Sequence, residues 1–506
     1  MATDRVPETG PDQRPIPDAV DVAVVGSGFG GLAAAVALRE AGRDFVVLER
    51  GDDVGGTWRD NAYPGCACDV PSHLYSFSFA PNADWSRSFS PQPEILDYLR
   101  DVARRYGVLP HVRFGAEVLG AGWDRDALRW RIETSRGRLT ARVLVVGTGP
   151  LSEPSIPPLP GLEGFRGTAF HSARWPRDLD LTGRRVAVVG TGASAIQLVP
   201  HVQRAASHLT VFQRTAPWVV PRRDRDLADG ERQMFRRFPR AQRLWRSGIY
   251  WWRESWILGF TRYEWLMAIG ERYARLAMWR QVRDPGLRAK LTPSYRLGCK
   301  RVLLASDYYP ALVQPNVDLV TDPIVGVTAD AVVTEDDGGL RREHAVDVIV
   351  FGTGFHATDQ PIAGRIRGAD QRSLAQHWSE RSMSALHGVT VAGFPNLFLL
   401  VGPNTALGHT SIVLMIEAQA GYVAEALRHM DADGIAAIEP TSVAERAYAD
   451  RMQRELSGTV WNSGGCASWY LDDHGRNTTL WPTFTFSYRR ELARFDPGSY
   501  AAHRAG

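Results

Sequence analysis

A glycine-rich loop near the amino terminus has the residue spacing that binds the pyrophosphate of a dinucleotide. The loop Gly26-Ser-Gly28-Phe-Gly30-Gly31 follows a short apolar run. In such a loop Gly26 allows the tight turn, Gly28 lets a pyrophosphate approach the backbone, and Gly31 lets the next helix pack closely on the strand. Glu49 ends the next apolar run, 18 residues after Gly31, where a carboxylate can bind ribose hydroxyls.

A second loop has similar spacing but a different charge beside it. Gly190-Thr191-Gly192-Ala193-Ser194-Ala195 follows another apolar run, and the run after it ends in Gln213-Arg214-Thr215 without a carboxylate. A guanidinium binds a 2′-phosphate that a carboxylate would repel, so Arg214 predicts NADP over NAD, unless it is simply a surface arginine. We therefore expect FAD in the first site and NADPH in the second. The expected contacts of the second dinucleotide are Gly190, Thr191, Gly192, Ala193, Ser194, Gln197, Arg214 and Thr215.

Four β-branched runs that end in glycine must position these loops. They span residues 22–26, 143–147, 186–190 and 348–352. Continuous apolar runs of this length are typical of central strands in parallel sheets. The sequence thus predicts an α/β protein with two doubly wound, Rossmann-like dinucleotide-binding domains.

The order of these runs predicts the domain boundaries. Residues 1–19 are polar and rich in proline, and we expect a disordered tail. Residues 20–150 are expected to form the first part of the FAD-binding domain and residues 151–345 the NADPH-binding domain, with a helical insertion at about 225–290. Residues 346–506 would complete the FAD-binding domain and add a C-terminal segment that is irregular from Trp461.

The insertion is rich in tryptophan. Between Trp245 and Trp279, arginine and glutamate interrupt the apolar residues, which predicts an amphipathic helical pair rather than a membrane span. We expect its aromatic side chains to pack internally or to line the access to a pocket for a bulky or aromatic substrate. Contact with a membrane surface or a partner is the alternative.

Charge and cysteine content exclude several classes of function. The 506 residues include 59 basic and 56 acidic ones, a net charge of +3, which is too even for a nucleic-acid-binding protein. The four cysteines, Cys66, Cys68, Cys299 and Cys466, predict neither a disulfide framework nor a metal site, so we expect a cytoplasmic protein. Cys66 and Cys68 have the wrong spacing for the redox disulfide of a reductase. No segment is apolar enough for a signal peptide or a transmembrane helix.

Two longer motifs resemble those of type I Baeyer–Villiger monooxygenases. Residues 165–176 are similar to the fingerprint of that family, and residues 55–69 are similar to its second motif. The fingerprint positions are Phe165, Gly167, His171, Trp175 and Pro176. With the two glycine-rich loops, the resemblance covers about residues 20–420. It implies an NADPH- and dioxygen-dependent flavin monooxygenase that inserts one oxygen atom next to a ketone carbonyl, giving an ester or a lactone.

The resemblance also implies roles for single residues. Arg301 would be catalytic, Asp69 would contact its guanidinium and the cofactor, and Lys300 would bind the 2′-phosphate. His171 is implied in the hinge between the domains. Residues 402–411 are similar to the loop beneath the flavin, where Ser411 is placed to cap the following helix. The other residues implied in cofactor binding are Gly56, Thr57, Trp58 and Asn404.

A permanently cationic Arg301 suits the implied chemistry. Reduced flavin would capture dioxygen as a peroxide whose anion attacks the carbonyl to form a tetrahedral adduct, and the guanidinium would stabilise both the anion and the alkoxide. Two alternatives remain open. A flavin-containing N- or S-monooxygenase would keep the peroxide protonated and would not need Arg301, and a non-catalytic FAD-binding redox sensor would consume no NADPH. Packing alone is the alternative role for Trp58 and Trp175.

Overall fold

A computed structural model describes residues 14–504. Its strands are β1 Ala19–Val25, β2 Phe45–Leu48, β3 Val112–Arg113, β4 Val118–Asp124, β5 Arg129–Thr134, β6 Gly137–Val146, β7 Thr168–His171, β8 Arg185–Val189, β9 His208–Phe212, β10 Val219–Val220, β11 Leu303–Leu304, β12 Val317–Val320, β13 Ile324–Val327, β14 Ala331–Glu335, β15 Arg341–Ala345, β16 Val348–Phe351, β17 Ile366–Arg367, β18 Leu397–Leu399, β19 Ala437–Pro440 and β20 Tyr500–His503.

Sixteen α-helices lie among these strands within the described residues. They are α1 Phe29–Glu40, α2 Thr57–Asp60, α3 Gln92–Arg105, α4 Ala193–Ala205, α5 Asp229–Arg237, α6 Pro239–Glu254, α7 Ile257–Thr261, α8 Glu264–Gln281, α9 Pro285–Leu291, α10 Tyr308–Leu312, α11 Pro361–Arg365, α12 Leu374–Ser379, α13 Ile412–Ala432, α14 Ser442–Ser457, α15 Val460–Ser463 and α16 Thr485–Glu491.

The first sheet has eight strands. Seven follow the order β17-β4-β5-β6-β1-β2-β3, and β18 also pairs with β6. One edge of the ten-residue strand β6 has two partners. Its first half pairs antiparallel with β5, and its last residues pair parallel with β18. The buried valines of β1 lie between β6 and β2, so the first glycine-rich loop begins at the carboxyl end of a central parallel strand.

The second sheet has five parallel strands in the order β12-β9-β8-β16-β7. Strands β8 and β16 are the third and fourth of the four valine-rich runs, and they are neighbours. Two doubly wound sheets with an inserted helical segment are therefore confirmed. The domain boundary predicted at residue 346 needs correction, because β16 pairs with β7 and β8. The chain leaves the second sheet only after Phe351.

The helical insertion consists of more than the expected pair. Helices α5 to α9 follow one another between residues 229 and 291. Its tryptophans do not line the cavity described below, and several of them are exposed. The prediction that they pack internally or line substrate access is wrong for the exposed ones, which include Trp251, Trp252, Trp265 and Trp279, because the helices bury their other faces. Trp256 is partly buried against the main core, in agreement with internal packing.

Both ends of the described chain are more ordered than the sequence indicates. Arg14 donates hydrogen bonds to the carbonyls of Pro110 and Val112, each at 2.8 Å, and β1 begins at Ala19. The disordered tail predicted for residues 1–19 is therefore wrong for residues 14–19, and residues 1–13 lie outside the described residues. Near the other end, α16 and β20 interrupt the segment expected to be irregular, and β20 pairs with β19.

A disulfide joins Cys299 to Cys466, with their Cα atoms 6.1 Å apart. The sequence predicts no such bond, because 167 residues separate the two cysteines and no local pattern relates them. Cys66 and Cys68 are free and buried. The disulfide fastens the residue before Lys300 and Arg301 to the segment that follows α15.

Candidate active site

A cavity of about 1690 Å³ lies between the two sheets. Both glycine-rich loops line it, together with residues of the 55–69 motif and the loop before α13. A pocket for one drug-sized ligand measures roughly 300–1000 Å³, so this cavity has room for more than one. The same cavity therefore serves both predicted dinucleotide sites.

The first glycine-rich loop is built to admit a phosphate. A Cβ atom on Gly31 would lie 1.9 Å from the carbonyl oxygen of Gly26, whereas one on Gly28 would lie 3.6 Å from its nearest neighbour, Gly56 Cα. Gly31 is thus required for the packing of α1 on β1, while the space beside Gly28 is open to a ligand. No side chain caps the amino end of α1, so its N–H groups are left for an anion. These features fit the pyrophosphate of FAD.

Glu49, directly after β2, is 3 % exposed and accepts hydrogen bonds from neighbouring residues. Its Oε2 accepts hydrogen bonds from the amide and hydroxyl of Ser27, and its Oε1 accepts from Gly51 N and from Arg59 Nη1 at 2.7 Å. Burial alone would raise the pKa of Glu49, but Arg59 and these hydrogen bonds hold it below its usual value. A ribose at this site would meet Arg59 as well as Glu49, a contact that the sequence did not reveal.

The 55–69 motif continues the cavity wall beside the predicted FAD site. Gly56 has a φ of 51° and precedes α2, which begins at Thr57. Trp58 is buried and donates from Nε1 to Tyr75 Oη at 3.1 Å. Gly56, Thr57 and Trp58 all line the cavity, as their predicted role in cofactor binding requires.

Two cations line the predicted second site. Arg214 follows β9 and Lys300 follows α9, and both line the cavity. Burial and the charge of Arg214 lower the pKa of Lys300, which places the two positive charges near each other. Within residues 14–504, neither side chain forms an ion pair with a carboxylate. This pair fits the 2′-phosphate of NADP.

The remaining contacts predicted for the second dinucleotide surround these cations. Gly190, Gly192, Ala193, Ser194 and Thr215 line the cavity, and so does Thr191. The Thr191 hydroxyl donates to the carbonyl of Thr215 at 3.1 Å, which ties the loop to the end of β9. Arg174, inside the fingerprint, is another cation in the lining that the sequence motif alone did not single out.

Two predicted cofactor ligands have other partners. Gln197 accepts a hydrogen bond from Tyr63 Oη at 2.9 Å and donates to the carbonyl of Ala67 at 2.9 Å, so it joins α4 to the 55–69 motif at the edge of the cavity. The amide of Asn404 donates to the carbonyls of Asn477 and Leu480, and Asn404 is absent from the cavity lining within the described chain. Its side chain therefore supports a loop and does not face the cavity.

Arg301 and Asp69 meet in a two-point ion pair. Arg301 Nε donates to Asp69 Oδ2 at 2.6 Å, and Nη2 donates to Oδ1 at 2.7 Å. The carboxylate raises the pKa of Arg301. Burial would raise the pKa of Asp69, but the charge of Arg301 holds it below its usual value. No described residue accepts a hydrogen bond from Arg301 Nη1, and Arg301 lines the cavity.

A second arginine lies close to this ion pair and was missed from the sequence. Arg253, in the last turn of α6, is 6 % exposed, and its guanidinium lies 4.4 Å from the centre of the Trp256 ring. Burial lowers the pKa of Arg253 to about 10, and its charge helps to keep Asp69 ionised. Nothing in the local sequence distinguishes it from the other arginines of the insertion.

Burial disfavours the thiolate form of both free cysteines. Burial raises the pKa of Cys66 to about 12, and it also raises that of Cys68. A thiol with such a pKa stays protonated at neutral pH and is a poor nucleophile. This agrees with the prediction that the chain is not a disulfide reductase.

The fingerprint residues lie at and beside β7, the edge strand of the second sheet. His171 ends β7, and its Nδ1 accepts a hydrogen bond from Ala173 N at 3.1 Å. Its ring contacts Phe355 in the segment that leaves β16, with the ring centres 5.3 Å apart. Trp175 packs edge-on against Phe170, and a Cβ on Gly167 would lie 2.3 Å from the carbonyl oxygen of Asp347. Phe165 packs against the core of the second sheet, and the chain turns at Pro176.

Comparisons with known proteins agree with this geometry. The family model for flavin-binding monooxygenase-like proteins matches residues 19–247. A Baeyer–Villiger monooxygenase of Streptomyces coelicolor is 54% identical over 96% of this chain and 93% of its own length. The closed crystal structure of cyclohexanone monooxygenase is 30% identical, covers 97% of this chain and 100% of its own, and superimposes with a TM-score of 0.86.

A crystal structure of OTEMO in complex with FAD and NADP is 27% identical, with a TM-score of 0.86, over 96% of this chain and 99% of its own. The resemblance of the motifs, the two dinucleotide-binding sheets and the identity over nearly the whole chain agree with one another. The chain belongs to the flavin-binding monooxygenase-like family and, within it, to the Baeyer–Villiger monooxygenases.

Proposed function

We propose that Arg301, held by Asp69, is the catalytic cation of this NADPH- and dioxygen-dependent Baeyer–Villiger monooxygenase, and that its substrate is an apolar ketone. The observation that supports this proposal is the two-point ion pair at the cavity wall, in which Nη1 donates to no residue between 14 and 504. Parts of the cavity lining are apolar or aromatic, which favours a ketone without charged groups. They include Tyr295, Leu303, Leu407 and Trp469.

When bound, FAD reduced by NADPH supplies the activated oxygen. The protein must then stabilise the negative charge that develops on the carbonyl oxygen of the substrate during attack. Arg301 can do this because its guanidinium is always cationic and is fixed before the reaction starts. Asp69 fixes the guanidinium plane through two hydrogen bonds, so little reorganisation accompanies the reaction. Removing even one neutral donor from such a site costs about 3–4 kcal/mol.

For cofactor binding, we propose that Glu49 and the first glycine-rich loop hold FAD, and that Arg214 and Lys300 hold the 2′-phosphate of NADPH. The open space beside Gly28 supports the first assignment, and the closeness of the two positive charges supports the second. His171 is proposed as a positioning residue in the hinge, because it ends a strand of the second sheet and contacts the segment that returns to the first. It is not proposed to touch the substrate.

A cytoplasmic location remains a proposal. Two buried free thiols, Cys66 and Cys68, agree with it, whereas the Cys299–Cys466 disulfide counts against it because such bonds are rare in a reducing compartment. Alkylation of cellular extracts under acid quench, followed by mass spectrometry, measures the oxidation state of all four cysteines. A fully oxidised Cys299–Cys466 pair in the cell contradicts the proposal.

The test of the catalytic role compares Arg301→Ala, Arg301→Lys and Arg296→Ala. Arg296 is a matched control, because it is also ion-paired, to Glu271, but lies outside the cavity lining among the described residues. Each purified protein is given NADPH and a panel of cyclic, linear and aryl ketones, and the products are identified by mass. We expect Arg301→Ala to lose at least 100-fold in ester formation while keeping its FAD absorbance, and Arg296→Ala to keep its activity.

The same panel includes a sulfide and an amine. If the wild-type protein oxidises these and no ketone, the activity is that of an N- or S-monooxygenase and the proposal is wrong. Normal ester formation by Arg301→Ala would also contradict it, since the charge would then have no catalytic effect.

A further inference from the structure

The outward face of helix α8 is apolar. Trp265, Ile269, Tyr273, Leu276 and Trp279 are 61, 56, 41, 47 and 57 % exposed. They follow one another at spacings of three and four residues, so they share one side of the helix. A helix on a protein surface normally directs polar residues to solvent. Contiguous exposed apolar side chains of this kind mark an interaction surface.

Helix α8 buries a different side against the protein. On the opposite side of α8, Ala274 and Met278 are each only 2 % exposed, so the helix is already packed against the protein. We call the five exposed side chains of α8 the aromatic stripe.

Helix α6 has the same feature. Leu244, Trp251 and Trp252 are exposed and lie on one side of that helix by their spacing, while Arg253 and Glu254 are buried on the other side. Two separate helices of the insertion therefore present large apolar side chains to solvent. Single exposed apolar residues are common on proteins, but several on one side of a helix are not.

The insertion is also strongly basic. Between residues 229 and 291 there are 14 basic and six acidic residues, a net charge of +8, whereas the whole chain carries +3 and the rest therefore carries −5. On α8, Arg272 and Arg280 lie beside the aromatic stripe by their helical spacing. Within the described part of the chain, no carboxylate lies within ion-pair distance of either guanidinium. Both remain available to an anionic partner.

We propose that the aromatic stripe of α8 binds peripherally to the surface of an anionic phospholipid bilayer. Tryptophan and tyrosine favour the boundary between headgroups and acyl chains, isoleucine and leucine enter the apolar layer, and arginines bind lipid phosphates. Between residues 14 and 504, no helix has the length and hydropathy needed to span a bilayer, so the contact is at the surface only. Apolar substrates concentrate in bilayers, and this attachment would bring the enzyme to them.

A bilayer fits better than the other occupants. A second copy of the chain would bring together two insertions that each carry a net charge of +8, and like charges across an isologous interface oppose association. A nucleic acid would satisfy the arginines but not the isoleucine and leucine at the centre of the stripe. Only a partner that is both anionic and apolar matches the two properties together.

The test measures co-sedimentation of the FAD-loaded protein with vesicles of phosphatidylcholine alone and of phosphatidylcholine mixed with phosphatidylglycerol. One variant combines Trp265→Ser, Ile269→Ser and Leu276→Ser, and a second combines Arg272→Glu and Arg280→Glu. The control variant combines Leu119→Ser, Leu340→Ser and Val443→Ser, which are exposed apolar residues outside the insertion. All substituted side chains are exposed, and FAD absorbance and the thermal midpoint verify folding.

We expect the wild type to bind the anionic vesicles at least tenfold more tightly than the neutral ones. Each of the two α8 variants should lose at least tenfold in affinity, and the control should behave as the wild type. Equal binding by the serine variant and the wild type would overturn the proposal, as would no binding of the wild type to anionic vesicles. A wild-type dimer that the serine variant dissociates would assign the face to a second copy. Lipid binding needs no turnover, so this result is independent of the proposed ketone oxidation.

Discussion

The carboxylate of Asp69 binds two nitrogens of Arg301, although 232 residues separate them in the sequence. Asp69 belongs to the 55–69 motif beside the proposed FAD site, and Arg301 follows Lys300, which lies at the proposed NADPH site. One ion pair thus connects the two halves of the cavity. The orientation of Arg301, the proposed catalytic cation, therefore depends on the relative position of the two sheets.

Replacing Asp69 with asparagine keeps the size of the side chain but removes its charge and one acceptor. We expect kcat to fall about 10- to 100-fold, because a hydrogen bond to a charged group contributes roughly 1.5–3 kcal/mol. Steady-state kinetics with a ketone substrate measure this, and the FAD content is compared in parallel. Asp224→Asn is the control, since Asp224 pairs with Arg87 outside the cavity lining. A kcat within threefold of the wild type for Asp69→Asn would contradict the proposed role.

Alanine substitutions at two glycines of the first loop should have different effects on folding and on FAD binding. Gly28→Ala is expected to fold and to lose FAD, because its Cβ fits the protein but fills the space for the pyrophosphate. Gly31→Ala is expected not to fold stably, because its Cβ would overlap the carbonyl oxygen of Gly26. Circular dichroism separates folding from the flavin absorbance. Full FAD binding by Gly28→Ala would show that the pyrophosphate lies elsewhere.

Substitutions at the proposed NADPH site should change the preference for NADPH over NADH. In Arg214→Gln and Lys300→Gln, the KM for NADPH should rise at least tenfold while the KM for NADH changes little, because only NADPH carries the 2′-phosphate. Initial rates with both nucleotides measure the ratio. Arg204→Gln, an exposed arginine of α4, is the control. An unchanged preference in both variants would argue against a phosphate between these cations.

The stability of the protein should fall in mild acid, in part because of His171. Burial lowers the pKa of His171 to about 4, below the value of about 6.5 in an unfolded chain. The unfolded state then binds more protons, so stability is lost as the pH falls from 6.5 towards 4, by about 1–3 kcal/mol, and is unaffected by this group above pH 6.5.

Thermal midpoints measured between pH 7 and pH 5 test this. His171→Asn supplies an acceptor for Ala173 N that does not titrate, so its midpoint should fall less steeply. His73 has the same direction of shift and contributes equally to both proteins. Parallel pH curves for the two proteins would rule out the assigned titration.

Because of the disulfide, reducing agents should lower the stability of the protein. A native disulfide typically contributes about 2–4 kcal/mol, so dithiothreitol should lower the urea midpoint of the wild type. Cys466→Ser should start from the lower midpoint and show no response to dithiothreitol. Peptide mapping without reduction identifies the Cys299–Cys466 peptide. A wild-type midpoint insensitive to dithiothreitol, despite verified reduction, would mean that the bond adds nothing to stability.

Much of the architecture follows from short-range patterns. The four valine-rich runs are parallel strands because continuous apolar runs need burial on both faces, and Ser411 caps α13 by accepting from Val413 N, as its position before a helical run indicates. Other features depend on pairs of residues that are far apart in the sequence. The position of β16 in the second sheet, the Cys299–Cys466 bond, the partners of Asn404 and the burial of Arg253 all depend on tertiary packing, which no local pattern encodes.

One edge of β6 pairs with both β5 and β18, which sets an order of events during synthesis. The second sheet has all its strands once residue 351 has left the ribosome, whereas β6 acquires β18 only after residue 399. The nucleotide-binding sheet in the middle of the chain can therefore form while the amino-terminal sheet is still incomplete. The flavin-binding sheet, although it begins first, is the last to close, and a ribosome that stops between these two points would release a chain without a finished flavin site.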